Sequence, residues 1–255
     1  MRVLDRAFRP SSVSSAGSTS SRAFSLTELL VAVGVIAVLI GLLLPTLASA
    51  RESANRTKCL AHLRQLALAF TAYLNDNAGR FPRPAQGGVP VPEDWIHYQP
   101  NRDRDAGAIA KYVAGRFDAA VYRCPSDDPA AHRTYTINGS ITQPITTSYP
   151  YSYTVNEAIC RIVGRGSTMR VGQVRNASEK ILLVEESADT IDDGCWAWQG
   201  SGGAGLNVMS VRHDRRDENV ERKDYGRGNA AFVDGHAEYI GREDSFDARY
   251  FDPAK

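Results

Sequence analysis

The stretch Ala23-Phe-Ser-Leu-Thr-Glu-Leu-Leu-Val-Ala-Val-Gly-Val-Ile-Ala-Val-Leu-Ile-Gly-Leu-Leu-Leu-Pro-Thr-Leu47 decides how this chain is read. From Leu29 to Leu44 every residue is apolar or Gly, and none is charged. With Phe24, Leu26 and the tail through Leu47 the span reaches about 20 residues, the length of one bilayer crossing. Helix is the one single-segment conformation that satisfies its own backbone groups in hydrocarbon, so helix is expected here. Glu28 stands at the mouth of the run. A charge at the bilayer centre costs about 2.5 kcal/mol or more, so Glu28 is expected at the interface or paired with a cation.

Two plainer readings compete. Ala48-Ser49-Ala50 has the small-residue pattern of a secretory cleavage site, and Pro45 just before it suits such a signal. An uncleaved signal anchor is the other. The length of the apolar run and the acid at its entrance argue against a cleaved signal. Upstream, Met1 to Arg22 carries Arg2, Arg6, Arg9 and Arg22 against Asp5 alone, and reads as a basic, Ser-rich leader. Arg51, Arg56, Lys58 and Arg64 follow the run against Glu52 alone, so charge asymmetry does not set the orientation.

Beyond Pro45 the pattern changes from uniformly apolar to amphipathic. Leu60, Leu63, Ala67, Phe70 and Leu74 recur at steps of three and four, with Leu66 and Tyr73 widening the face. Pro45 is expected to kink the helix without ending it. Asn77-Ala78-Gly79 supplies the stop. The expected organisation is a leader at 1–23, a helix at 24–79 (membrane-spanning over 24–47, amphipathic over 48–79) and a head at 80–255. His62 on this helix lacks a second ligand at i+4 and reads as solvent-facing.

The head shows short elements separated by Pro and Gly. Arg80 to Asp105 reads as loop anchored by Trp95, Ile96 and Tyr98, and Ala106 to Val113 as a short helix closed by Gly115. Val121 to Asp128 reads as a strand end running into a turn. Tyr149 to Val155 alternates aromatic and β-branched residues and is expected to be a strand. Sheet pairing accounts for its tyrosines more cheaply than carbohydrate stacking. Lys180 to Glu185 reads as a short central strand, and Cys195 to Trp198 as another. Asn229 to Ile240 is the clearest hairpin, with Asp234-Gly235 expected as a two-residue turn.

The net charge of +1 gives no basic excess for nucleic acid. Gly200-Ser201-Gly202-Gly203 lacks the nucleophile-elbow spacing, and Gly202-Gly203-Ala204-Gly205 is not followed by the Lys of a phosphate loop. No catalytic residue is therefore expected, nor an enzyme. Of the four cysteines, Cys59 lies on the predicted helix, remote in sequence from Cys124, Cys160 and Cys195, which favours an unpaired thiol. Four cysteines allow three full pairings, and the sequence does not choose among them. None are spaced as C-x-x-C, which argues against a thiolate zinc site. His213, Asp234 and His236 form the one candidate site for a divalent ion such as Ca²⁺ or Zn²⁺, although Asp and Gly at a tight turn are explained by the backbone alone.

Phe24-Ser25-Leu26-Thr27-Glu28 resembles the start of type IV pilins and type II secretion pseudopilins. Counting Phe24 as the first residue, Glu28 is the fifth and Pro45 the twenty-second, where that family carries Glu and commonly Pro. Ala23 stands where the family usually has Gly. The resemblance implies cleavage between Ala23 and Phe24 by prepilin peptidase and methylation of the new amine. It implies that Phe24, Glu28 and Pro45 serve assembly, with the Glu28 carboxylate facing a neighbouring subunit's ammonium. A second resemblance covers the head. Asn229, Phe232, Asp234, Gly235 and His236 match a group of pilin-like proteins named for a His, nine residues, then Asp-Gly. Cys124-Pro125-Ser126-Asp127, Lys180 to Val184, and Cys59 with Leu63-Arg64-Gln65-Leu66 are similar to it as well. Position 224, where the upstream His would fall, is Asp; the nearest candidate is His213, followed by a charged stretch that looks inserted.

Together these imply an α+β subunit, a long N-terminal helix packed against a mostly antiparallel sheet. The expected setting is a single-pass protein of a bacterial inner membrane, its head in the periplasm or in an extracellular filament. Expected partners are prepilin peptidase, other pilin-like subunits and the secretion or pilus machinery. The alternative is an anchored or secreted ligand-binding protein.

Overall fold

Ser25 and Glu28 start the first helix by bonding each other reciprocally. The Ser25 Oγ accepts from the Glu28 amide at 3.2 Å, and the Glu28 Oε2 accepts from the Ser25 amide at 2.9 Å. This Ser-x-x-Glu capping box satisfies two orphan amides just before the apolar run. The computed structural model describes residues 25–86, 91–137, 145–163, 167–197, 207–214 and 225–255. The leader through Phe24, the Gly-rich stretch at 200–205 and the charged stretch at 215–224 lie outside them. Helix α1 runs over Leu26–Asp76, with Pro45 inside it. Ala78 and Gly79 then adopt positive φ, and the Gly79 amide closes the end on the Leu74 carbonyl at 2.8 Å.

The chain divides into two compact units, 1–47 and 48–255. In the first, the described apolar side chains from Leu26 to Leu47 are exposed. α1 is long and apolar enough, by length and composition, to cross a membrane near the N-terminus.

In the second unit α1 buries Cys59, Leu63, Leu66, Ala67, Phe70 and Leu74. These recur at helical spacing, so the expected stripe is real, but it begins at Cys59, one residue before Leu60, which is only partly buried. His62 is half-buried, with Nδ1 at 3.2 Å from the Arg123 carbonyl oxygen. The remaining elements are α2 (Ala110–Ala114), β1 (Thr134–Ile137), β2 (Ile145–Ser148), β3 (Tyr153–Asn156), α3 (Glu157–Cys160), β4 (Ile162–Val163), β5 (Ser167–Thr168), β6 (Ile181–Glu185), β7 (Cys195–Trp196), β8 (Arg227–Phe232), β9 (Ala237–Gly241) and α4 (Ala248–Phe251). Five strands form one sheet in the order β7-β3-β6-β8-β9, with β6 central as expected. Every pairing in it is antiparallel except β3 with β7, which is parallel and makes the sheet mixed.

Two expectations change in detail. The strand read over Tyr149 to Val155 begins only at Tyr153, because Tyr149 and Tyr151 leave the ladder to pack in the core. Tyr149, Tyr151 and Tyr153 are all buried. Tyr151 packs against Phe117 and Tyr122, and Tyr122 against Trp95. Burial leaves none of these rings for a sugar. The hairpin turn has three residues, Val233 to Gly235, because Phe232 donates to the His236 carbonyl and closes the ladder there. Only Gly235 takes positive φ (+95°), which Gly adopts without the steric cost of a Cβ.

Phe70 is fully buried on the α1 stripe, its ring 5.9 Å from that of Trp95, whereas Leu68 on the opposite face is 62% exposed. Phe70→Ala is expected to destabilise the second unit by about 3–5 kcal/mol, and Leu68→Ala by about 0.5 kcal/mol or less. Denaturant unfolding of the detergent-solubilised chain, followed by tryptophan fluorescence, measures both.

Candidate functional site

Four segments far apart in sequence converge beneath the sheet. α1 contributes Cys59 from its buried stripe. The Val121–Asp128 segment contributes Cys124. It is not a ladder strand, yet it is pinned beside the chain at Ser152: the Ser152 amide donates to the Tyr122 carbonyl at 3.0 Å, and the Cys124 amide to the Ser152 Oγ at 2.8 Å. β6 contributes Glu185, its last residue. The segment 207–214 contributes His213 from a short 3-10 turn at Arg212–Asp214.

Backbone bonds set that last placement. The Ser187 amide donates to the Val208 carbonyl at 2.9 Å and the Ser210 amide to the Glu185 carbonyl at 2.7 Å, so residues 208–210 run antiparallel beside the end of β6. A Cβ at Gly228 on β8 would lie 2.1 Å from the Ser210 carbonyl oxygen, so only glycine lets this segment lie so close to the sheet. The Asp214 carboxylate accepts from the Arg227 amide at 2.9 Å, drawing together the two ends of the charged stretch.

The side chains then meet. The Cys59 and Cys124 sulfurs are 2.7 Å apart. The Nε2 of His213 lies 3.3 Å from the Cys124 sulfur and 3.3 Å from the Glu185 Oε2. All four donor atoms lie within 4.8 Å of one another, and all four residues are buried. An outer ring holds them. The Glu52 Oε1 takes the Nδ1 of His213 at 2.5 Å, and Ser126 donates to Glu52 at 3.0 Å. The Ser126 amide points at the Cys124 sulfur at 3.4 Å. Asn229 donates to the Glu185 Oε2 at 3.0 Å, and the Arg212 Nε lies 3.2 Å from Oε1. Arg212 also pairs with Asp127, which meets the Nε2 of His132 at 3.0 Å and accepts from Ser152 at 2.5 Å.

The electrostatics follow from these contacts. Burial opposes charge on His213, but hydrogen bonds with Cys124 and Glu185 outweigh it and push the imidazole up to about 11. Burial likewise opposes the Glu185 carboxylate, and His213 with Arg212 holds it below the usual range nonetheless. Burial raises the Cys124 thiol, with Cys59 and Glu185 adding to the shift. One polar cluster thus holds opposite charges in apolar surroundings, each stabilised by its neighbours.

Of the site residues read from sequence, His213 lies in this cluster. Asp234 and His236 lie at the solvent-exposed turn of the hairpin, where the Nδ1 of His236 meets the Asp234 Oδ1 at 2.6 Å and the His236 ring stacks on Phe232 at 4.2 Å. Among the described residues, the converging donors around His213 are Cys59, Cys124 and Glu185. The turn serves Asp234 as a backbone device: its Oδ1 accepts from the His236 amide at 3.1 Å. Sequence reasoning missed the two cysteines and Glu185. The available signal was the helical spacing of Cys59 with Leu63 and Leu66, which places a thiol on the buried face. Pro45 lies within α1 and Glu28 in its cap; Ala23 and Phe24 lie outside the described residues. The chain matches no family model, no curated protein and no solved structure.

Asp127 gives a testable pH dependence. Burial opposes its charge, but His132, Arg212 and Ser152 hold its carboxyl below the usual range. A depressed folded value stabilises the fold above the unfolded value of about 3.9, and that stabilisation is lost as pH falls through the folded value. Asp127→Asn is expected to cost about 3 kcal/mol at pH 7. The gap to wild type should close on acidification, as measured by denaturant midpoints across an acid series.

Proposed function

We propose that this chain is a pilin-like subunit, anchored by its first helix and assembled through it into a filament or secretion pseudopilus, with the head outside the cytoplasm. One observation carries the reading. Apart from Leu68 and Ile162, every exposed large apolar side chain among the described residues lies between Leu26 and Leu47. An apolar surface of that size needs a partner other than water, and lipid or neighbouring helices of the same kind supply one. The spacing of Phe24, Glu28 and Pro45 supports neighbouring helices as the final environment.

Glu28 has two roles to reconcile. In the single chain its carboxylate completes the cap on Ser25. In a filament, processing at Phe24 creates an ammonium on each subunit, and a carboxylate near the helix start of a neighbour would pair with it. That pairing lowers the cost of a charge in an apolar surrounding. The head then sets surface chemistry, and no reaction is assigned to it.

The cap and the charge are separable by substitution. Gln keeps the capping geometry and removes the charge, whereas Ala removes both. Glu28→Gln is therefore expected to leave membrane insertion and helix content unchanged while abolishing incorporation into filaments, measured by recovery of the subunit in sheared or cross-linked assemblies. Mature protein from native membranes should begin at Phe24 and carry one extra methyl group by intact mass. A mature chain beginning at Arg51, or a wild-type chain never recovered in sheared or cross-linked assemblies, would overturn the filament reading in favour of a secreted or anchored binding protein; normal assembly of Glu28→Gln would overturn the role given to its charge.

A further inference from the structure

We propose that Cys59, Cys124, Glu185 and His213 bind one Zn²⁺ ion, which fastens the buried stripe of α1 to the end of the central strand. The inference stands apart from the filament reading, because it concerns the head alone and holds whatever the first helix assembles into.

The donor set selects the metal. Two thiolates, one imidazole and one carboxylate suit a borderline-soft divalent ion that accepts tetrahedral geometry, and Zn²⁺ is the one most used in this way. The spacing fits. With Zn–N and Zn–O near 2.0 Å and Zn–S near 2.3 Å, tetrahedral geometry separates N from O by about 3.3 Å and N from S by about 3.5 Å. The corresponding separations here are both 3.3 Å. The two sulfurs, 2.7 Å apart, would open by about 1 Å, which side-chain rotation supplies.

The surroundings fit as well. A metal-bound imidazole ordinarily gives its other nitrogen to a carboxylate, which fixes its tautomer and direction. Glu52 occupies that place on the Nδ1 of His213, leaving Nε2 for the ion. Asn229 and Arg212 orient Glu185. The Ser126 amide, two residues on from Cys124, points at its sulfur as an amide does at a ligating thiolate. Binding releases the two thiol protons and the Nε2 proton of His213 and leaves a centre with net charge −1, beside which the Arg212 guanidinium lies against Glu185. Four protein donors close the coordination and all are buried, so the ion has a structural place and no open position for substrate.

The competing chemistry is a Cys59–Cys124 disulfide, at about 2.05 Å between sulfurs. It would use two of the donors and give no reason for an imidazole and a carboxylate, each oriented by its own partners, to converge on the same point.

The test uses the full-length chain purified from its own membranes in detergent, with neither chelator nor polyhistidine tag. Elemental mass spectrometry should find one zinc per chain, and alkylation after denaturation with chelator should find Cys59 and Cys124 as free thiols. Replacement of zinc by Co²⁺ should give the visible absorption of a tetrahedral centre with thiolate ligands. Cys59→Ser and Cys124→Ser should abolish zinc retention, whereas Cys160→Ser should keep it. Glu52→Ala should weaken zinc affinity roughly 10- to 100-fold, the cost of losing an outer-shell partner. Should the cysteine variants fail to fold, the zinc content and cobalt spectrum of the wild-type chain decide. A cross-linked Cys59–Cys124 peptide, or a wild-type chain with free thiols that takes up no zinc or cobalt, would overturn the proposal.

Discussion

A carboxylate buried at the end of the central strand sets the terms for the rest of the head. Glu185 is fully buried, and an isolated charge in such a place is not tolerated. Its neutral alternative, protonation, is not adopted here: His213 and Arg212 keep the carboxyl below its usual range despite burial. That compensation requires three separate pieces of chain. Arg212 and His213 arrive only because residues 208–210 pair with the end of β6, and Asn229 arrives from β8. Glu52 and Cys59 arrive from α1. The head's tertiary contacts can therefore be read as the set of approaches needed to satisfy one buried acid.

Helix α1 carries two surface chemistries under one backbone geometry. Between Leu29 and Leu44 every residue is apolar or Gly, so the side chains cannot define a preferred direction toward water. From Cys59 onward the apolar residues narrow to a stripe, which specifies one face and hence one rotational setting against the sheet. Specificity in the head therefore comes from amphipathicity. In the apolar half the polar cap at Ser25 and Glu28, together with Pro45, distinguishes one position along the helix from another.

What could be read from sequence followed the range of the interaction. The apolar run, the helical stripe, the strand Lys180 to Glu185 and the Asp-Gly hairpin are governed by residues a few places apart, and their periodicities declare them. The parallel pairing of β3 with β7 is not local, and nothing in either strand announces it. The cysteine pair is separated by 65 positions, so a search for C-x-x-C spacing was bound to miss it. The tyrosines at 149 and 151 misled for another reason: alternation marks a two-sided segment, and a buried aromatic cluster produces the same alternation as a strand. The capping box was legible all along in Ser25-x-x-Glu28, but the same Glu was absorbed into an argument about membrane charge.

The four cysteines show why residue type and burial together still do not define a site. All four are buried thiols. Burial raises both Cys160 and Cys195, as it raises Cys124. What separates them is the company of other donors. Among the described residues, the one group of metal-sized convergence contains Cys59 and Cys124 and neither of the other two. Around Cys160 burial alone accounts for the rise, the behaviour of a small apolar side chain filling core space. Around Cys124 an imidazole, an amide and a second sulfur approach the same atom. Packing demands volume and is indifferent to what the neighbours can donate. A site demands direction, and direction is what the Glu52–His213 and Asn229–Glu185 bonds supply.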